Sequence, residues 1–66
     1  MKLQVNGEPR EVRDGITVVE LLRELGIERE RVAVEVNTAV VRRARHGEHC
    51  LSEGDKVEIV SFAGGG

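Results

Sequence analysis

Three side chains in the second half of the chain, His46, His49 and Cys50, are residue types that carry nucleophilic or metal chemistry. A cysteine attacks as its thiolate, and so needs a nearby base and a microenvironment that favours the anion. Either histidine is near enough in sequence to be that base. The same three residues could contribute to a zinc site, but their crowding on one short loop lacks the paired ligand spacing of such sites. The reading preferred here is structural: Cys50 is a small apolar residue tucked inward in front of Leu51. Just before them, Arg42-Arg43-Ala44-Arg45 forms a short basic run. Such runs are usually solvated faces, and an acidic partner is the sharper alternative. One more reactive group remains. The sequence ends in Gly64-Gly65-Gly66, so its last functional group is a carboxylate on bare backbone.

That carboxylate is ionised at neutral pH and unreactive toward nucleophiles. It does chemistry only after activation, for instance as an acyl phosphate or acyl adenylate. Activation requires a nucleotide site. The chain has no Walker-type loop, and its only glycine-rich segment is terminal rather than between a strand and a helix. A domain of this size also has little room for a small-molecule pocket. A second protein would therefore supply the site, and this chain would be a carrier whose end is the substrate. Three glycines lack Cβ atoms and make a thin, compliant tether. Fully extended, residues 63 to 66 reach about 13–14 Å beyond the fold. The alternative is a frayed terminus or an expression scar.

The elements that would position this tail follow from periodicity. Residues 2–6 alternate, with Leu3 and Val5 on one face, as a half-buried strand does. Asn6-Gly7 is a hairpin turn, because both residues accept positive φ. Glu8-Pro9 extends the turn, and Arg10 to Arg13 return as a second strand with Val12 inward. Asp14-Gly15 breaks the direction. Thr17 to Leu25 is a helix with a capping box, Thr17 and Glu20. Val18, Leu21, Leu22 and Leu25 form its apolar stripe, and Gly26 ends it. Val32, Val34 and Val36 mark a third strand, Asn37-Thr38 a turn, and Ala39 to Arg42 a fourth strand. Residues 43–55 are polar and irregular, closing with a turn at Glu53-Gly54-Asp55. Lys56 to Phe62 is the last strand.

One helix with one apolar stripe covers one face of a four- or five-stranded mixed sheet. A helix between the first hairpin and the later strands permits a parallel crossover. The expected fold is an α+β roll of the β-grasp kind, over residues 1–62, with 63–66 as a flexible tail. If Val57 and Ile59 face the helix, then Glu58, Val60 and Phe62 face away. The only aromatic residue of the chain then stands on an otherwise solvated face, at the root of the glycines. Aromatic anchors of this kind mark interface cores, which makes Val60 and Phe62 a candidate partner surface. The competing reading folds Phe62 over the sheet end to complete the core.

Composition narrows the function classes. Sixty-six residues make one small domain, near the lower limit for an unaided core. Ten basic and twelve acidic residues give a formal charge of -2, which does not suit a general nucleic-acid surface. One cysteine allows no internal disulfide. No apolar run approaches the roughly 20 residues of a membrane span, and the direct start into strand-like alternation predicts no secretory leader. With a lone thiol, the cytoplasm is the expected compartment.

Taken in order, these segments resemble the thiamine-biosynthesis sulfur carriers, the ThiS family of ubiquitin-like β-grasp proteins. The similarity runs end to end, through Leu3-Gln4-Val5-Asn6-Gly7-Glu8, Thr17-Val18-Val19-Glu20-Leu21-Leu22 and Arg31-Val32-Ala33-Val34-Glu35-Val36-Asn37. It closes with Leu51-Ser52-Glu53-Gly54-Asp55-Lys56-Val57-Glu58-Ile59-Val60 and the terminal glycines. The resemblance implies a carrier, not an enzyme, that binds no cofactor itself. An E1-like partner enzyme adenylates Gly66 with ATP. Sulfur derived from a cysteine desulfurase then converts it to a thiocarboxylate, which donates to thiazole synthase. Gly65 matches the other residue of the Gly-Gly motif, and Gly64 is a further glycine found in some relatives. The family pattern assigns no role to Arg42, Arg43, Arg45, His46, His49 or Cys50. Rival readings are a small subunit of molybdopterin synthase, a ubiquitin-like protein modifier and a binding module with an inert tail.

Overall fold

The computed structural model describes residues 1–62. Its elements are β1 (Lys2–Val5), β2 (Glu8–Glu11), α1 (Val18–Leu25), β3 (Val32–Val36), β4 (Ala39–Val41) and β5 (Lys56–Ser61). Single 3₁₀ turns cover Arg29–Arg31 and Arg43–Arg45. The five strands form one sheet in the order β2-β1-β5-β3-β4. β1 and β5, the first and last strands, lie side by side and parallel, while the other pairs are antiparallel. This is the mixed β-grasp sheet that the element order implies.

The hairpin turn is tighter than expected. Asn6 and Gly7 take φ of 51° and 84°, so they alone form the turn, and β2 begins at Glu8. Glu8 and Pro9 are therefore strand residues. Pro9 is tolerated because β2 is an edge strand, where a missing N–H deprives no neighbour. Val12 lies just past β2, yet it is buried and donates its N–H to the Met1 carbonyl at 2.8 Å. β4 ends at Val41 and β5 at Ser61, one residue short of expectation in each case. Phe62 still donates its N–H to the Arg31 carbonyl at 3.0 Å.

Thr17 closes the helix start as its type and spacing require. Its Oγ1 accepts from the Glu20 N–H at 3.2 Å, and the Glu20 carboxylate accepts from the Thr17 N–H at 2.9 Å. Gly26 ends the helix at φ 71°, where a left-handed residue lets Ile27 N–H reach back to the Leu22 carbonyl. The apolar stripe meets the sheet face bearing Leu3, Val32, Val34, Val36, Val41 and Val57, and Ile16 and Leu51 belong to the same core.

Candidate functional site

The sequence places Val57 and Ile59 on the helix side of β5, and the structure agrees: Val57 is fully buried and Ile59 half-buried. The intervening residues turn outward. Val60 is 54% exposed and Phe62 51% exposed, so Phe62 does not complete the core. A third residue joins them. Val40 is 65% exposed on β4, the most exposed large apolar side chain among the described residues. Its neighbour Val41 pairs with Val34 and is buried, so alternation turns Val40 to the outer face. That signal was present in the sequence, but it needed the β3–β4 register to be read.

Between these apolar residues the face is acidic. Glu35 on β3 lies opposite Glu58 on β5, and opposite Val40 on β4. Like charges directly across a strand pair are unfavourable by a few tenths of a kcal/mol or more. Beside Phe62, a cleft of about 170 Å³ runs along Val32, Ala33, Val40 and Arg43. It is smaller than the ~300–1,000 Å³ usual for small-molecule pockets. The outer face therefore combines exposed apolar side chains with a facing pair of carboxylates. The expected tail residues Gly64, Gly65 and Gly66 lie outside the described residues.

The loop with two histidines and one cysteine is structural, though not in the way its sequence suggests. Cys50 is exposed, not tucked inward. It forms a single β-bridge with Thr17, and the alternation that follows gives the inward position to Leu51 instead. The buried member of the group is His46, 1% exposed. Its Nε2 donates to the Val41 carbonyl at 3.0 Å, since a carbonyl can only accept. Its Nδ1 is buried without a partner. The backbone of this loop also caps the helix. Val18 N–H donates to the His49 carbonyl and Val19 N–H to the His46 carbonyl, each at 3.0 Å. Two of the orphan donors at the helix start are met in this way. A sealed, hydrogen-bonded imidazole cannot serve as base for an exposed thiol. No cluster of metal-ligating side chains occurs among the described residues.

The basic run is partly neutralised. Arg45 pairs with Glu48 at 3.0 Å, and Arg43 donates to the Glu30 carbonyl at 3.4 Å. Arg42, Arg43 and Arg45 are all exposed. Glu20 is held below the usual glutamate value. The backbone N–H of Thr17 is the main cause and Arg13 the second, against a smaller opposing effect of burial. This belongs to the helix cap and not to the outer face. No helix among the described residues is long and apolar enough to cross a membrane.

A helix on one face of a mixed sheet, with parallel terminal strands and an exposed outer face leading to a terminal glycine run, defines a ubiquitin-like β-grasp protein. The ThiS family model matches residues 3–66, and the chain belongs to that family. It is similar over its whole length to the crystal structure of a thiamine biosynthesis protein, ThiS, from Geobacter metallireducens. That likeness has a TM-score of 0.87 at 39% identity and covers 100% of both chains. The sulfur carrier protein ThiS of Thermus thermophilus is 39% identical over 62 residues, covering 94% of this chain and 95% of that protein. A thiazole synthase of Paramagnetospirillum magneticum is 46% identical over 66 residues. The match covers 100% of this chain but only 20% of that protein, so the chain spans a fifth of that relative's length.

Proposed function

We propose that this chain is a sulfur carrier for formation of the thiamine thiazole ring, and that the Gly66 carboxylate is its reactive group. An E1-like partner enzyme transfers the AMP moiety of ATP to that carboxylate and releases pyrophosphate. A protein persulfide charged by a cysteine desulfurase then displaces AMP through its outer sulfur to give an acyl disulfide. A thiol reductant cleaves the S–S bond, leaving a thiocarboxylate and the disulfide of the reductant. Thiazole synthase takes the sulfur from the thiocarboxylate. The chain itself binds no nucleotide and catalyses no step. The observation that carries the reading is the outer face of β5, where Val60 and Phe62 stand exposed just before the glycine run of a ThiS-family chain. Likeness to a segment of a thiazole synthase supports that enzyme as the acceptor.

The test is intact-mass spectrometry after incubation with ATP, an adenylating enzyme and a sulfur source. One oxygen should be exchanged for one sulfur, localised to the C-terminal peptide. Removing Gly65 and Gly66 should abolish the change while the domain stays folded. No mass change with a partner proven active on another carrier would sink the reading. A conjugate to a second protein would point to a modifier instead.

A further inference from the structure

The final strand is held on one side by the asparagine of the first hairpin turn, Asn6. β5 is parallel to β1, but their pairing covers only Gln4 with Lys56 and Val5 with Val57. The last backbone contact is Asn6 N–H to the Val57 carbonyl, at 2.8 Å. Beyond it, β1 turns away through Asn6 and Gly7, and the β1 side of β5 has no further backbone partner among the described residues. The Asn6 side chain takes over at that point. Its Oδ1 accepts from the Ile59 N–H at 2.7 Å, and its Nδ2 donates to the Ile59 carbonyl at 3.3 Å. A carboxamide carries the same donor and acceptor as a peptide group, so it adds one rung to the parallel ladder.

The same residue must also accept φ of 51° to make the hairpin turn. Asparagine tolerates left-handed geometry better than most residues. Glycine offers the backbone freedom without the amide. Aspartate offers the acceptor without the donor. Asparagine alone supplies all three properties. At the other end of β5, Asn37, with φ 52°, accepts from Lys56 N–H and donates to the Asp55 carboxylate, each at 3.0 Å. Two turn asparagines thus grip the start and the middle of the strand. The Asn6 grip is the later one, immediately before Val60 and Phe62.

We propose that Asn6 is a positioning residue: its carboxamide fixes the outgoing half of β5, and with it the angle at which Val60 and Phe62 meet the activating enzyme. The second half of this statement rests on the sulfur-carrier reading. Rigid placement of the strand lowers the ordering cost of docking, which an enzyme senses as carrier affinity rather than as chemical rate.

Two variants separate the clamp from the turn. Asn6→Gly keeps the turn geometry and removes both side-chain hydrogen bonds. Asn6→Asp keeps the acceptor for Ile59 N–H. In amide hydrogen exchange on the full chain, Asn6→Gly should speed exchange at Ile59 by roughly fivefold, the effect of one net hydrogen bond. The Val34 and Val57 amides should keep their rates, and Asn6→Asp should retain protection at Ile59. In pyrophosphate exchange by the adenylating enzyme, Asn6→Gly should raise KM for the carrier with kcat unchanged, and Asn6→Asp should recover most of the loss. Unchanged exchange at Ile59, or equal acceleration at Val34 and Val57, overturns the clamp. Acceleration at Ile59 with a wild-type KM overturns its role in presentation. A wild-type chain that no adenylating enzyme accepts defeats the sulfur-carrier reading instead, and the exchange rates alone then decide the clamp.

Discussion

Val57 and Val60 belong to the same strand and have opposite surroundings. Val57 is fully buried beneath the helix, while Val60 is 54% exposed on the other side of the sheet. The contrast extends across neighbouring strands. Val34 and Val41, paired across β3 and β4, are buried on the helix side, whereas Val40 stands out beside Glu35. A sheet covered by a single helix has only one face to give to stability. The other face is free to be shaped by what it touches, and here it carries exposed apolar groups and a pair of facing carboxylates. On the proposed reading, folding and recognition are divided between alternate residues of the same strands.

The largest expected effect lies on the helix side. Leu21 is fully buried at the centre of the stripe. Leu21→Ala should cost about 2–5 kcal/mol, from lost burial and a residual cavity. A core this small rarely supplies more than about 3–5 kcal/mol in total, so the variant should be largely unfolded in a urea titration. A stable Leu21→Ala would mean that the outer face contributes to the fold, and would break the division.

A smaller effect belongs to the helix cap. Thr17→Ala should cost about 1 kcal/mol by denaturant titration. The same cap gives a pH signature. The folded protein holds Glu20 below the ordinary glutamate value, with Thr17 N–H as the main cause. The folded state therefore binds that proton less readily than the unfolded chain. The contribution is complete above the ordinary value and is lost as the pH falls through the lowered one. Acid titration should remove helix stability in that range in the wild type, and less so in Glu20→Gln.

The smallest effect has the opposite sign and sharpens the comparison from the other side. Glu58→Gln relieves the repulsion across from Glu35 and should raise stability by about 0.2–1 kcal/mol in the same titration. A loss of stability would show that the carboxylate pair is part of the fold after all.

Most of the helix side was legible in the sequence because it rests on local rules. The stripe of α1, its capping box, its glycine stop and the alternation of β3 each follow from residues a few positions apart. The outward turn of Val60 and Phe62 follows from the same alternation. What escaped prediction depends on distant partners. Cys50 looks like a core residue by type, but its bridge to Thr17 leaves the inward place to Leu51. His46 looks like a reactive group, and is instead sealed against the Val41 carbonyl. Glu8 and Pro9 look like turn residues, yet the two positive φ values at Asn6 and Gly7 complete the turn before them. The rung that Asn6 adds to β5 spans 53 positions in sequence and has no local signature.

The division of labour is tested most directly by Phe62→Ala, measured in one preparation for both melting temperature and affinity for the adenylating enzyme. Phe62 is half exposed and lies next to Val60 on the outer face. Its removal should change the melting temperature by less than about 4 °C, within the range of a surface substitution in a domain this small. The affinity should fall roughly tenfold or more, as for a central aromatic anchor of an interface. Val40→Ala should follow the same pattern more weakly. A melting temperature that drops by more than about 10 °C, with the affinity intact, would contradict the account and return Phe62 to the core.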